Sequence, residues 1–226
     1  MIPVQFSDTE FDDPEFFAPD SAGKVPADDY LFGNHKDSLT QFFLHESLGT
    51  FSVSGELSPV VTLNGTLANY GEAMANGKSD KDARGLVKEA IVKIMESKGT
   101  GDWWNQFDLW DLSDYDSDDH FYEPDGFLDA VVLIYAGKSQ ASCQRSFDAD
   151  STRPATADVP AGPRHDSAVE CFNRLWPHRW SISIGSDDPL YTPVGPLVEG
   201  NQRPSMNGLK INDTLYALDY NMQSEY

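Results

Sequence analysis

The pattern of hydrophobic and polar residues along the chain predicts strands separated by helices. The opening "IPVQF" is rich in β-branched and aromatic side chains and predicts a strand. Residues 129–137, "DAVVLIYAG", are almost continuously apolar, which is typical of a central strand covered on both faces. Residues 50–63, "TFSVSGELSPVVTL", predict one or two strands. Residues 208–223, "GLKINDTLYALDYNMQ", predict a hairpin that turns near Asn212 and Asp213.

Two segments carry the spacing and end signals of helices. In residues 79–99, Ser79 is the predicted N-cap, Asp80 and Asp82 lie at the positive end of the helix dipole, and one stripe is apolar: Leu86, Val87, Ala90, Ile91, Ile94 and Met95. In residues 37–49, Ser38 and Gln41 match a capping box, and the predicted apolar face consists of Leu39, Phe42 and Phe43. Strands alternating with helices indicate an α/β fold.

Composition narrows the class of protein. The 226 residues are 39% hydrophobic, enough for the core of one large domain. A formal net charge of -21 disfavours nucleic acid as a partner, because few cations are available to replace phosphate counterions. The sequence has no apolar run of about 18 residues that would predict a membrane span. The N-terminal residues also lack the basic start and apolar stretch of a signal peptide.

Residues 138–172 interrupt this pattern and predict an irregular surface insertion. The segment is rich in Pro, Ala, Ser and Asp, has no periodicity, and contains both cysteines of the chain, Cys143 and Cys171. A disulfide between them would join the two ends of the insertion. The alternative is two unpaired thiols in a reducing compartment.

Residues 111–129 are the most acidic part of the chain and predict a calcium site. Asp114, Asp116 and Asp118 have the one-three-five spacing by which alternate side chains converge on one hard cation. Glu123, Asp125 and Asp129 are candidate later ligands. A divalent ion would remove the repulsion among carboxylates placed directly before an apolar strand. The alternative is a solvated acidic turn without an ion.

No complete active site follows from sequence motifs. "HESLG" at residues 45–49 begins like the zinc motif H-E-x-x-H, but Gly49 replaces the second histidine. In "LWPHRW", residues 175–180, His178 and Arg179 lie between Trp176 and Trp180. This segment predicts either a wall of a substrate cleft or aromatic core packing around a hydrogen-bonded histidine.

Four ordered segments resemble the immune inhibitor A family of secreted zinc metallopeptidases. They are "SLTQFFLHESLGTFSVSGEL", "FDLWDLSDYDSDDHFYEPDGFLDAVVLIYAG", "LWPHRW" and "YALDYNMQSE". The resemblance implies a single zincin-like α/β domain over residues 1–226, with a mixed twisted sheet and packed helices. It also implies that this domain is incomplete, because the family's H-E-x-x-H helix follows the stretch matched by "DYNMQSE" and is expected beyond Tyr226. The chain alone is therefore expected to be inactive.

Further expectations follow from the same resemblance. The protein is expected to be secreted and monomeric, to use zinc, and to cleave extended peptides. The acidic loop matches the family's calcium-type loop, with Ser117 and Asp119 where glycines are usual, and Asp tolerates left-handed backbone better than most residues. The final hairpin resembles the edge strand that receives substrate in zincins. Candidate substrate-cleft residues are His178, Arg179, Trp180, Asp219 and Tyr220. The alternative function is a non-catalytic calcium-binding module for adhesion or carbohydrate recognition.

Overall fold

The computed structural model describes residues 1–72, 80–111, 114, 118–141, 173–182 and 208–225, and the backbone of 191–192. Among these residues the main sheet has five strands, in the spatial order β2, β1, β3, β8, β4. Their bounds are β1 Ile2–Gln5, β2 Val61–Thr62, β3 Val132–Tyr135, β4 His178–Ser181 and β8 Asp219–Ser224. The architecture is therefore the predicted mixed α/β sheet with helices.

The strand directions make β3 the centre of this sheet and β4 one of its edges. β1, β2, β3 and β8 run parallel to one another, whereas β4 pairs antiparallel with β8. Leu133 and Tyr135 on β3 are fully buried, which confirms the predicted central strand. The predicted edge was wrong: β8 is paired on both sides, and the antiparallel edge strand is β4. The reason is topological, since "LWPHRW" continues into a strand that covers the outer side of β8.

A smaller three-stranded sheet contains the predicted hairpin. Its strands are β5 Tyr191–Thr192, β6 Gly208–Lys210 and β7 Tyr216–Ala217, paired antiparallel in that order. The turn lies where it was predicted, because the side-chain oxygen of Asn212 accepts hydrogen bonds from the N–H groups of Thr214 and Leu215.

The longest helix confirms its predicted apolar stripe and corrects its predicted cap. The helices are α1 Pro26–Phe32, α2 Leu39–Glu46, α3 Leu67–Gly71 and α4 Ala83–Lys98, with short 3-10 helices at Pro14–Phe17 and Asn105–Phe107. On α4, five stripe residues are buried: Leu86, Val87, Ala90, Ile91 and Ile94. Its N-cap is Asp82, whose carboxylate accepts the N–H of Gly85. Ser79 lies outside the described residues.

Two further predictions were partly wrong. Ser38 caps α2 through the N–H of Gln41, but the reciprocal bond of the predicted capping box does not form, because the Gln41 side chain donates to Asn34 and the Ser38 N–H donates to the carbonyl of His35. α2 also buries none of its residues, and Phe42 is 55% exposed. Residues 51–60 contain no strand, so of the predicted region Val61–Thr62 alone is paired. Side-chain hydroxyls bind the backbone here in place of a ladder: Thr40 donates to the carbonyl of Val53, and Ser47 bonds both the N–H and the carbonyl of Phe51.

The apolar core lies between the sheet and α4. It includes Val4, Leu133 and Met222 from the sheet and Leu86 and Ile91 from α4, all fully buried. Within the described ranges, no helix combines the length and the apolar character needed to cross a bilayer. The predicted insertion and its disulfide candidates Cys143 and Cys171 fall outside the described residues, so that pairing stays a prediction.

Candidate functional site

The five predicted cleft residues come together on the paired strands β4 and β8. In the antiparallel register Trp180 lies opposite Tyr220, and Ser181 opposite Asp219. Because side chains alternate across a sheet, His178, Trp180 and Tyr220 share one face, and Arg179 and Asp219 share the other. The first face is joined by a 2.7 Å contact between His178 Nε2 and Tyr220 Oη. The second is joined by a 2.6 Å ion pair between Arg179 Nη2 and Asp219 Oδ2.

The hydrogen bonds of His178 define its neutral tautomer. Its Nδ1 lies 2.5 Å from the carbonyl oxygen of Trp176, which can only accept, so Nδ1 carries the proton. In the neutral ring Nε2 then accepts from the hydroxyl of Tyr220. Tyr220 is 2% exposed, and this burial raises its pKa to about 12, so the hydroxyl keeps its proton at neutral pH. His178 is therefore a hydrogen-bonded histidine at the start of the edge strand.

Asp80 is the residue of this site that the sequence did not reveal. Its side chain is 3% exposed, and both carboxylate oxygens lie 3.2 Å from the backbone nitrogen of Trp176, whose N–H they accept. Its Oδ2 lies 3.7 Å from His178 Nδ1. Burial raises the pKa of Asp80 to about 6, while the Trp176 N–H and His178 act in the opposite direction. We refer to Asp80, His178 and Tyr220 together as the β4 anchor.

Two further hydrogen bonds hold the chain where it enters β4. The hydroxyl of Tyr135, a fully buried residue of the central strand, donates to the carbonyl of Leu175 at 2.9 Å. The N–H of Gln140 donates to the same carbonyl at 2.8 Å. Burial also raises the pKa of Tyr135. The backbone from Leu175 to His178 is thus fixed by groups from several separate parts of the chain.

In the acidic loop, several carboxylates bind the backbone. The buried Asp108 accepts the N–H groups of Asp125 (2.8 Å) and Gly126 (3.0 Å). Asp125 Oδ1 accepts the N–H of Phe127 at 2.8 Å. Asp129 accepts the N–H groups of residues 109 and 110, and burial raises its pKa. Asp108, Asp125 and Asp129 therefore hold the loop against the start of the sheet.

The first part of the loop is shaped by Asp114. Its Oδ1 accepts the N–H groups of Asp118 (3.0 Å) and Asp119 (3.3 Å). The backbone is left-handed at Asp114, with φ of 46°, and at Asp119, with φ of 65°. Asp119 thus adopts the conformation for which the resembling loops use glycine, as its side chain permits. Asp116 lies outside the described residues.

In the described part of the loop, three side chains lie close enough together to hold a metal ion. Ligand atoms of Asp118, His120 and Glu123 lie within 4.8 Å of one another. His120 Nδ1 lies 3.1 Å from Asp118 Oδ2. Two carboxylates fit a hard cation such as calcium, which prefers oxygen ligands, whereas the imidazole suits softer metals. The structure therefore brings Asp118 and Glu123 together, and gives Asp114, Asp125 and Asp129 contacts to the backbone.

Zinc does not fit the residues of the candidate cleft. A catalytic zinc needs three protein ligands such as His, Glu or Asp, with one open position. The sequence has five histidines, and no two of them have the H-x-x-x-H spacing that places two ligands on one helix face. His178 is bonded through both ring nitrogens to Trp176 and Tyr220. No zinc-dependent step is therefore assigned to any residue of this chain.

Comparisons with known proteins identify the relatives of the chain. Residues 24–157 match the model of the immune inhibitor A peptidase M6 catalytic domain. Immune inhibitor A of Bacillus thuringiensis subsp. alesti is 28% identical over 198 residues, covering 85% of this chain and 23% of that protein. The pre-pro-metalloprotease PrtV of Vibrio cholerae serotype O1 is 27% identical over 119 residues, covering 53% of this chain and 13% of that protein.

These matches confirm the predicted family. The region matched by the family model makes up more than half of the chain and includes α4, β3 and the acidic loop. The chain spans about a quarter or less of the length of the curated relatives it matches. On the family match, together with the mixed α/β sheet, the chain belongs to the immune inhibitor A family of peptidases, M6.

Proposed function

We propose that this chain forms part of the catalytic domain of a secreted zinc metalloendopeptidase, and that β4 is the strand to which an extended peptide substrate binds. The observation that carries the proposal is the match of residues 24–157 to the M6 catalytic domain. The relatives named as immune inhibitor A and as a metalloprotease support the same reaction class, peptide-bond hydrolysis. Secretion and a monomeric state are proposed from the family resemblance.

The position of β4 supports peptide binding at this edge. β4 pairs with β8 on one side, and within the described ranges no strand covers its other side. The N–H and C=O groups of such an edge can pair with an extended peptide, while pockets beside the edge select its side chains. Trp180, 58% exposed on β4, would supply an apolar surface for one of those side chains.

The zinc site is proposed to come from a helix that follows the segment matched by "DYNMQSE" in the family. Zinc bound there would activate water and polarise the scissile carbonyl. The residues of this chain would contribute by holding the peptide along β4. The chain of 226 residues is accordingly expected to have no peptidase activity of its own.

The test is to read the codons after Tyr226 in the parent gene and to assay the complete product. The proposal expects an H-E-x-x-H motif shortly after Tyr226, and cleavage of a protein substrate that a zinc chelator abolishes. Zinc-dependent cleavage by the purified 226-residue chain would contradict the assigned location of the zinc site. A complete product that lacks both the motif and activity would overturn the peptidase proposal.

We also propose that the acidic loop binds calcium, through the carboxylates of Asp114, Asp116, Asp118, Glu123, Asp125 and Asp129. The proximity of Asp118 and Glu123 supports this proposal. Calcium would act on the loop by neutralising neighbouring carboxylates. Its role would be to make the start of the sheet rigid, and it would not take part in hydrolysis.

A second candidate function is a non-catalytic calcium-binding module for adhesion or carbohydrate recognition. One observation favours it: beside the acidic loop, Trp110 and Tyr122 are 45% and 71% exposed, and their ring centroids lie 4.8 Å apart. Exposed aromatic rings of this kind suit the apolar face of a sugar. A stop codon at the position where the zinc motif is expected would favour the module over the peptidase.

A further inference from the structure

The β4 anchor joins three segments that are far apart in the sequence. Asp80 precedes α4, His178 begins β4, and Tyr220 belongs to β8. The side chain of Asp80 is 3% exposed and Tyr220 is 2% exposed, so their polar groups are satisfied mainly within the protein. A buried polar network of this kind is costly unless its members are paired, and here each contact is made to the entry of the edge strand.

The anchor constrains consecutive backbone groups immediately before β4. Asp80 accepts the N–H of Trp176, the Nδ1–H of His178 donates to the carbonyl of Trp176, and the next residue, Pro177, has a fixed φ and no N–H. The His178 ring is held from its other side by the Tyr220 hydroxyl. A shift of the chain at Trp176 would break these contacts together and would move the edge strand.

We propose that Asp80 is a positioning residue for β4: its carboxylate fixes the backbone of Trp176 and the ring of His178, and so sets where the edge strand can pair with an extended peptide. The first part of this proposal concerns the fold of this chain and stands by itself. The second part, peptide pairing, rests on the proposed function.

The ionisation of Asp80 should modulate this hold. The titratable and charged groups that face it are His178 at the start of β4, Tyr220 on β8 and Tyr135 on β3, with Arg84 of α4 beside Tyr220. The ionised carboxylate accepts the N–H of Trp176 and attracts the His178 ring. The raised pKa of Asp80 means that its lost hydration outweighs both contacts, so the arrangement that buries Asp80 is more stable with the proton than without it. The entry to β4 should therefore loosen as the pH rises through about 6.

The test compares four forms of the 226-residue chain: wild type, Asp80→Asn, Asp80→Ala, and the exposed hairpin-turn control Asp213→Asn. Amide hydrogen exchange, measured by NMR without any ligand, reports how strongly the backbone N–H groups of β4 are protected. Asp80→Ala should accelerate exchange of the β4 amides by about tenfold, the factor for one lost charge-assisted hydrogen bond. Asp80→Asn keeps an oxygen that can accept the Trp176 N–H and should restore most of the protection. The control should match the wild type.

Peptide affinity is measured with one probe, a heptapeptide of alternating alanine and valine with a lysine at each end. Asp80→Ala should weaken its binding to the folded chain by about tenfold, and Asp80→Asn by less. The wild-type affinity should rise relative to that of Asp80→Asn as the pH is lowered from neutral to about 5. Because the amide introduced by Asp80→Asn does not ionise in this pH range, the difference between the two profiles reports the ionisation of Asp80.

Each outcome decides one part of the proposal. Unchanged β4 exchange in both Asp80 variants would overturn the positioning role. Should Asp80→Ala fail to fold, the pH-dependent difference in exchange between wild type and Asp80→Asn decides the same question. Accelerated exchange with no binding of the probe to any form, wild type included, would uphold the positioning role and count against peptide pairing at β4. Equal probe affinity in all four forms would overturn the link between Asp80 and peptide binding.

Discussion

The acidic loop and the β4 anchor both place carboxylates next to a sheet, but they differ in the groups to which those carboxylates are hydrogen-bonded. The loop has eight acidic residues in positions 111–129; Asp125 and Asp129 among them accept backbone N–H groups, as does Asp108 just before the loop. The anchor has one carboxylate, Asp80, whose charge faces a single histidine. The carboxylates of the loop accept hydrogen bonds from several backbone N–H groups, whereas the anchor has a single carboxylate at the entry to one strand.

Burial raises the pKa of Asp80 to about 6. Asp80 has one backbone N–H and a histidine 3.7 Å away to offset its loss of water. Asp108 accepts two N–H groups at 3.0 Å or less. A carboxylate with several short backbone bonds is suited to a structural role, and one with a costly charge is suited to respond to pH.

The largest effect is expected from removing the main backbone acceptor of the loop. Asp108→Ala removes the partner of two backbone N–H groups beside a buried strand and should lower the free energy of unfolding by about 4 kcal/mol. Urea denaturation measures this change. The control Asp118→Ala, at a more exposed position, should change it by less than about 1 kcal/mol without calcium. Equal effects of the two variants would contradict the division of the loop into buried and exposed parts.

The next effect is the dependence of stability on pH through Asp80. Because its folded-state pKa is raised, the folded protein binds more protons than the unfolded chain between about pH 4 and 6, so stability falls as the pH rises through this window. The loss from Asp80 should reach about 3 kcal/mol above pH 6. Urea denaturation of wild type and Asp80→Asn at a series of pH values measures it as a difference. Identical dependences of the unfolding free energy on pH in the two forms would contradict the raised pKa of Asp80.

Addition of calcium tests whether the acidic loop binds this ion. A ligand that binds the folded state at a free concentration 100 times its Kd stabilises by about 2.7 kcal/mol. Excess calcium should therefore raise the Tm of the wild type, and a chelator should reverse the rise. Glu123→Gln should reduce it, whereas Asp80→Asn should leave it intact. A wild-type Tm that calcium does not move would refute the calcium site.

The smallest effect is expected on the outer face of β4. Arg179 and Asp219 form an ion pair at 2.6 Å, but the Arg179 side chain is 75% exposed. Exposed pairs contribute little to stability because water and salt screen them. Arg179→Ala should therefore leave the Tm unchanged within experimental error, whereas His178→Ala should lower it. A large loss of Tm in Arg179→Ala would mean that the exposed ion pair, and not the buried anchor, stabilises β4.

The sequence was sufficient to predict the elements whose determining residues lie close together in the chain. The stripe of α4, the strand at residues 132–135, the Asn212 turn and the Ser38 cap each follow from residues within one or two turns of chain. The sequence was insufficient to predict features that depend on tertiary contacts. Phe42 has the spacing of a buried residue yet is exposed, because α2 lies at the surface.

The site divides in the same way. His178, Arg179 and Trp180 could be singled out because they form a dense aromatic motif, and Asp219 and Tyr220 because they belong to a segment that resembles the family. Asp80 could not, since its partner His178 is 98 residues away and its local sequence is that of an acid near a helix N-terminus. The edge position of β4 also depends on a non-local pairing, that of residues 178–181 with 219–222.

The most direct test of the account is an NMR titration of the isotopically labelled chain with the lysine-flanked alanine–valine heptapeptide. The bound peptide is expected along the side of β4 that faces away from β8, which no strand of the described residues covers. The largest amide shift changes are therefore predicted at residues 178–181, with smaller ones at β8 and none in the acidic loop. Saturable shift changes confined to the acidic loop, or none at β4 at any peptide concentration, would contradict the account.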